Sequence, residues 1–224
     1  MQIIHVDEQL LIVNKPAGLS VLPEGWDKDA SYLVKMLEEQ FGNPSTGSGQ
    51  GIWVVHRIDK ITSGVIIFAL TAEAHRSLNI QFERHQVEKI YHAILTGSPK
   101  WDEKTTKFPL RVNVGHKHRT MVDNKNGVRS ETRFRILTRY PSSALAEASP
   151  MTGRTHQIRV HAYALGHPLL GDVLYSAPET ELIPRPALHA YSIKFTHPNT
   201  NEAMTFQAEY PQDFQSAVNM LREK

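Results

Sequence analysis

Asp59 stands between two cations in the stretch Val54-Val55-His56-Arg57-Ile58-Asp59-Lys60-Ile61-Thr62-Ser63-Gly64-Val65-Ile66-Ile67. An apolar run leads into His-Arg-x-Asp, and Thr-Ser-Gly hands over to a second apolar run, which predicts strand, tight polar loop, strand. A carboxylate so placed is either the anchor of a buried ion pair or a catalytic group. A second polar cluster, Thr152-Gly153-Arg154-Thr155-His156-Gln157-Ile158-Arg159-Val160-His161, predicts the opening of a helix from Thr155, whose N-terminal donors favour anions. Thr155 and Arg159 share a helix face at i, i+4 spacing, so Arg159 can hold a buried carboxylate in its charged form.

Other chemistries find less support. His156 and His161 are five residues apart, about 500° around a helix, and do not share a face as a zinc-binding i, i+4 pair does. No HExxH motif is present, and hydrogen-bonding or core roles suit these histidines better. Ser63 lies in no G-x-S-x-G elbow, so a serine hydrolase is unsupported. The chain has no cysteine, which excludes disulfides, thiolate zinc sites and a Cys nucleophile together, and which suits a reducing cytoplasm. The N-terminus has neither the basic start nor the apolar core of a signal peptide, and no apolar run approaches the length of a membrane span.

The net charge of +2 hides an asymmetry. Residues 111–139 carry eight Lys/Arg, Arg133 and Arg135 among them, against Asp123 and Glu131; that is an excess of six and leaves the remainder at −4. His116 and His118 fall in the same segment. Such a local excess suits either a polyanion-facing surface or a solvated, Arg-rich hairpin.

The elements that must position these residues follow from patterning. A strand pair is predicted at 3–6 and 10–14, and a helix over 30–41 runs into a polar Gly/Ser loop at 42–51. Thr71 is the expected cap of a helix over 72–84, followed by a strand at 89–96. Antiparallel strands are expected near 106–112, 118–122, 130–139 and 143–149, with a turn at Asn126-Gly127. A helix over 155–165 closes at Gly166, two strands follow at 188–195 and 204–209, and a helix over 213–222 ends the chain. Clustered strands with few helices favour α+β with a largely antiparallel sheet over a doubly wound parallel fold.

VHRIDKITSG closely resembles the HRLDxxTSG motif of the RluA-type pseudouridine synthases, with Ile58 where leucine is usual. Val13-Asn14-Lys15-Pro16-Ala17-Gly18 resembles the family's N-terminal lysine-proline-glycine motif, and Lys89-Ile90-Tyr91-His92-Ala93 its lysine-x-tyrosine strand. TGRTHQIRVHAYALGHPLLGDVLY, with Leu188-His189-Ala190 and Phe195-Thr196-His197-Pro198, is similar to its C-terminal signature. Gly127-Val128-Arg129-Ser130-Glu131-Thr132 follows the family's small-residue–x–threonine strand only loosely. Four motifs in order, over about residues 3–209, make the resemblance specific.

The resemblance implies the pseudouridine synthase fold: an α+β domain with a largely antiparallel, mixed β-sheet and flanking helices and loops. The expected organisation is one catalytic domain over 1–224, without the appended N-terminal RNA-binding domain of many relatives. The implied reaction isomerises uridine in ribosomal or transfer RNA, with no cofactor, no metal, no membrane and no protein partner; a monomer is the default expectation. The resemblance makes Asp59 the nucleophile, Arg159 its basic partner, and Tyr91 the tyrosine that stacks on the uracil or assists proton removal. His56, Arg57, Thr62, Arg154, His156, Gln157 and Leu188 are the expected substrate contacts, Arg57 either filling the gap left by a flipped base or pairing structurally with Asp59, and Leu188 giving apolar contact. Arg133 and Arg135 are the expected contacts to the RNA backbone. Two other readings stay open: a non-catalytic RNA-binding protein, and a metal-free hydrolase that releases free base through Asp59.

Overall fold

The computed structural model describes residues 1–23, 31–42, 51–115 and 119–223. In chain order its elements are β1 (Gln2–Val6), β2 (Leu10–Lys15), α1 (Leu33–Phe41), β3 (Trp53–Val54), β4 (Ser63–Ala69), α2 (Ala72–Glu83) and β5 (Glu88–Thr96). Then come β6 (Glu103–Thr106), β7 (Leu110–Val114), β8 (Arg119–Val122), β9 (Thr132–Arg139), β10 (Ser143–Pro150), α3 (Gln157–Ala164), β11 (Leu188–Thr196), β12 (Ala203–Gln207) and α4 (Gln212–Arg222). Most of the Gly/Ser loop (43–50) and His116-Lys117-His118 lie outside the described residues, as does Ala30, where the first helix was expected to begin. The chain forms two compact units, one of Met1–Glu88 with Ala190–Glu209, the other of Lys89–His189 with Tyr210–Lys224.

The first unit is built on β2 and β4, paired antiparallel from Leu10 opposite Ala69 to Lys15 opposite Gly64. All seven residues of β4 are buried, because the strand is covered on both faces and so reads as one apolar run. Leu11, Val13, Ile66 and Phe68 pack against Leu33, Val34 and Leu37 of α1. Helix α2 packs on β4 as well; its N-terminus is set by Thr71, whose hydroxyl accepts from the Ala74 amide at 3.1 Å. β1 flanks β2, β3 pairs with the far end of β4, and β11 with β12 extends the other side. Gly64 marks the close approach of β4 to β11: φ is +118°, and a Cβ there would lie 2.2 Å from the Ala190 carbonyl oxygen.

The second unit carries the strand order β5-β10-β9-β6. The pairings β5–β10, β10–β9 and β9–β6 are all antiparallel. Period-two alternation gives the sheet two distinct faces. Ala93, Leu95, Phe134, Ala146 and Ala148 pack under Ile158 and Ala162 of α3. On the opposite face Ile94 and Leu145 pack under Phe214, Ala217, Val218 and Leu221 of α4. The β7–β8 hairpin docks on α3 through Leu110, Val160 and Tyr175.

Two of the departures from the expected elements have a local cause. The strand expected near 106–112 is two: β6 ends at Thr106, β7 begins at Leu110, and Pro109, with no amide to donate, falls in the break. The helix expected from Thr155 begins at Gln157, because His156 takes a left-handed conformation with φ +54°. Among the described residues no helix is long and apolar enough to cross a membrane.

Candidate active site

The loop from Val55 to Thr62 is pinned at both ends within the first unit. His56 stacks on Phe82 with ring centroids 4.8 Å apart, and its Nε2 accepts from the Ile67 amide of β4 at 3.1 Å. Lys15, 0% exposed, donates from Nζ to the carbonyls of Pro16 (3.0 Å), Leu19 (2.7 Å) and Lys60 (3.1 Å). A buried ammonium needs its donors satisfied, and here the partners are the two backbone segments that must be held together. The Lys60 carbonyl also accepts from the Gly18 amide, and the Asp59 carbonyl from the Thr62 amide. Arg57 is exposed, Ile58 turns into the core, and Asp59, which follows them, is half-buried. The lysine-proline-glycine motif, which carried a resemblance and no chemistry of its own, is thus the brace of the Asp59 loop.

In the second unit Arg159 is 3% exposed and Asp172 1%. The arginine donates from Nε to Asp172 Oδ2 and from Nη2 to Oδ1, both at 2.7 Å, the bidentate geometry that fixes the guanidinium plane. The Tyr175 ring caps that plane, 5.0 Å from Cζ to centroid. Gly171 permits the turn into Asp172: φ is +76°, and a Cβ there would meet the Arg185 carbonyl oxygen at 2.4 Å.

The polar cluster ahead of α3 divides into inner and outer residues. Gln157 is buried and its amide is saturated. Its Oε1 accepts from Thr152 Oγ1 (2.6 Å) and the Arg154 amide (3.1 Å), while Nε2 donates to the Glu131 carbonyl and Thr132 Oγ1, each at 2.9 Å. A primary amide makes about four hydrogen bonds, so Gln157 braces the turn and does not reach outward. His161, fully buried, bonds Ser130 Oγ, Thr132 Oγ1 and the Phe108 carbonyl, and burial lowers its pKa. Arg154 and Thr155 remain exposed on this braced turn, and His156 bonds Tyr175 through Nδ1.

Tyr91 lies on the β5 face that packs with Phe134 and α3. Arg133 and Arg135 alternate with Phe134 and therefore lie on the other face. A row crosses that face from His92 through Glu147 and Arg135 to Glu103, each residue opposite the next. Arg135 donates to Glu147 at 2.8 Å and Arg133 to Glu103 at 2.6 Å. His92, hydrogen-bonded to the Tyr210 hydroxyl, has its pKa lowered to about 4, chiefly by burial and further by Arg135, with Glu147 opposing. The structure thus separates the two expected backbone contacts from Tyr91 by the thickness of a sheet. Leu188 is 4% exposed in the core under α3. Among the described residues no group of three or more His, Cys, Asp or Glu is placed to hold a metal ion.

Asp172 and Tyr175 are functional candidates without a sequence assignment. The Gly-Asp following the α3 turn, a short acidic turn after a buried basic helix, is the signal that marks them. Lys15 could have been found as a lone lysine ending an apolar strand.

A family model described as RNA pseudouridylate synthase matches residues 9–164. The chain is 37% identical over 211 residues to a dual-specificity RNA pseudouridine synthase RluA of Haemophilus influenzae, covering 93% of each. It is 36% identical over 230 residues to a ribosomal large subunit pseudouridine synthase D of Zymomonas mobilis, covering 99% of this chain and 73% of that one. Among solved structures, human RNA pseudouridylate synthase domain containing 4 superimposes with a TM-score of 0.79 at 26% identity, over 98% of this chain and 92% of that chain. These likenesses define the class, a pseudouridine synthase and hence an isomerase. The chain belongs to the RluA-type RNA pseudouridylate synthase family.

Proposed function

We propose that the protein isomerises specific uridines in structured ribosomal or transfer RNA, with Asp59 as the nucleophile. The observation that carries this reading is the construction of the Asp59 loop, in which a buried lysine and a stacked histidine hold the backbone on either side of one half-buried carboxylate. A nucleophile needs such fixed placement more than a surface carboxylate does. The isomerisation breaks the bond from C1′ to N1 of uracil and forms one from C1′ to C5. C5 loses a proton and N1 gains one, so atoms balance without oxidant or reductant. Asp59 attacks the sugar or the pyrimidine ring; Tyr91 serves as the stacking ring and as an aid to proton removal at C5, and Arg159 serves the same reaction as a cation. Extrusion of the uridine costs a few kcal/mol and is cheapest in a loop. Exposed Arg57, next but one to Asp59, is the side chain proposed to fill the gap.

Asp59→Asn tests the reading. Turnover is expected to vanish while affinity for RNA stays within about threefold, since the side chains that meet the RNA remain. A variant that still releases tritium from [5-³H]uridine-labelled RNA at the wild-type rate overturns the assignment. A chain that never turns over, with or without Asp59, is a binding protein. Release of free uracil in place of isomerised nucleoside identifies a hydrolase.

A further inference from the structure

We propose that Tyr175 is a positioning residue that couples the β7–β8 hairpin to the Arg159 guanidinium. Its ring and its hydroxyl are engaged with different elements. The ring caps Arg159 from 5.0 Å, so it limits the guanidinium plane that Asp172 grips from the side. The hydroxyl lies 3.1 Å from both the amide nitrogen and the carbonyl oxygen of Thr120, and 3.0 Å from His156 Nδ1.

The Thr120 bonds are informative because of the ladder around them. β7 and β8 pair at Leu110–Val122, Arg111–Met121 and Val114–Arg119, with an irregularity between Arg111 and Val114 where Asn113 has φ +56°. Thr120 falls at that irregularity and has no counterpart in the register. Its backbone donor and acceptor, buried, are satisfied by one phenol. A hydroxyl donates once and accepts twice. It therefore donates to the Thr120 carbonyl and accepts from the Thr120 amide and from His156, which then carries its proton on Nδ1. The hairpin, the left-handed turn before α3 and Arg159 thus share one rigid side chain. Displacement of the hairpin drags the ring that confines Arg159. A tyrosine serving only to fill the core would need none of these hydroxyl partners.

The inference rests on Arg159 serving the isomerisation, and its test has readouts of both kinds. Tyr175→Phe keeps the ring and removes the hydroxyl; Tyr175→Leu removes both. The probe is bulk ribosomal and transfer RNA carrying [5-³H]uridine, purified from cells lacking the gene, with tritium release measured over a range of RNA concentrations. For Tyr175→Phe, KM is expected to rise about three- to tenfold, the worth of one or two net hydrogen bonds, with kcat within twofold. Amide exchange at 119–122 should accelerate. For Tyr175→Leu, kcat is expected to fall about tenfold in addition, and the Arg159 Nε–H signal in NMR should lose its protection, which Tyr175→Phe retains. If Tyr175→Phe leaves both KM and exchange at 119–122 unchanged, the coupling is refuted, and this variant suffices should Tyr175→Leu fail to fold. If both variants lower thermal stability but leave kcat and KM per folded molecule intact, Tyr175 is core and nothing more. If wild type releases no tritium, the functional reading fails separately, and the exchange and NMR arms still decide whether the two elements are linked.

Discussion

Replacement of Asp172 by asparagine isolates the charge that holds Arg159. The pair is 3% and 1% exposed, with two bonds of 2.7 Å. Removing one partner of a buried pair leaves an uncompensated charge and costs about 3–5 kcal/mol. The Tyr175 ring lies over the guanidinium in both forms, so that contact leaves the difference unchanged. Asparagine also keeps one acceptor oxygen while turning an amide toward a donor. The net expectation is a loss of about 3 kcal/mol, or a fall of about 6–12 °C in Tm for a chain of this size. Thermal unfolding followed by circular dichroism reads the first number, and single-turnover tritium release reads the effect on chemistry. The double variant Arg159→Met/Asp172→Leu separates the two, since a buried pair replaced by apolar side chains of similar volume is often neutral or stabilising. It should recover most of the lost stability and none of the activity. Asp172→Asn within about 1 kcal/mol of wild type, or a double variant no more stable than the single one, would refute the reasoning.

Three further outcomes are expected. Lys15→Met should lower turnover at least tenfold while destabilising by about 1–3 kcal/mol, because the Pro16, Leu19 and Lys60 carbonyls lose their common donor and the Asp59 loop its brace; tritium release and urea unfolding check it. His92, with its folded pKa lowered to about 4 from 6.5, binds fewer protons when folded than when unfolded, so stability should fall as pH drops from about 6.5 towards 4. His92→Gln should flatten that part of the stability profile, measured by chemical unfolding at several pH values. Neutralising Arg119 of the hairpin should shrink the slope of log affinity against log salt by about 0.7 to 0.9 for each phosphate left without its cation, whereas neutralising Arg111, Arg133 and Arg135, each already on a carboxylate, should change it little.

Local signals read well from the residues alone. The β1–β2 pair, the Thr71-capped α2, the loop carrying Asp59 and the closing Gly166 all depend on neighbours a few positions away, and each lies where patterning put it to within about two residues. What depended on distant partners did not read. The excess of six positive charges in 111–139 took no account of Asp102, Glu103 and Glu147, which lie outside that window and pair with Arg139, Arg133 and Arg135. Alternation along β9 puts Arg133 and Arg135 on one side of the strand, but only the packing of α3 and α4 says which side that is. Asp172 is 13 residues from Arg159, and no periodicity joins a helix face to a turn beyond its end. Gln157 reads as a substrate contact from sequence, yet its amide is consumed by internal bonds to Thr152, Arg154, Glu131 and Thr132, whereas His161 takes the hydrogen-bonding, core role expected of it.

The role of Asp59 as the nucleophile of an isomerase is tested most directly by the product balance of labelled RNA exposed to the wild-type protein and to Asp59→Asn. RNA from cells lacking the gene is incubated with each protein, digested to nucleosides and analysed by chromatography with mass detection, while tritium released from C5 is counted. One pseudouridine is expected for each tritium released, with no change of nucleoside mass and no free uracil from wild type, and neither pseudouridine nor tritium release from Asp59→Asn at undiminished RNA affinity. Pseudouridine formed by Asp59→Asn at the wild-type rate, or free uracil in place of pseudouridine, would contradict that role.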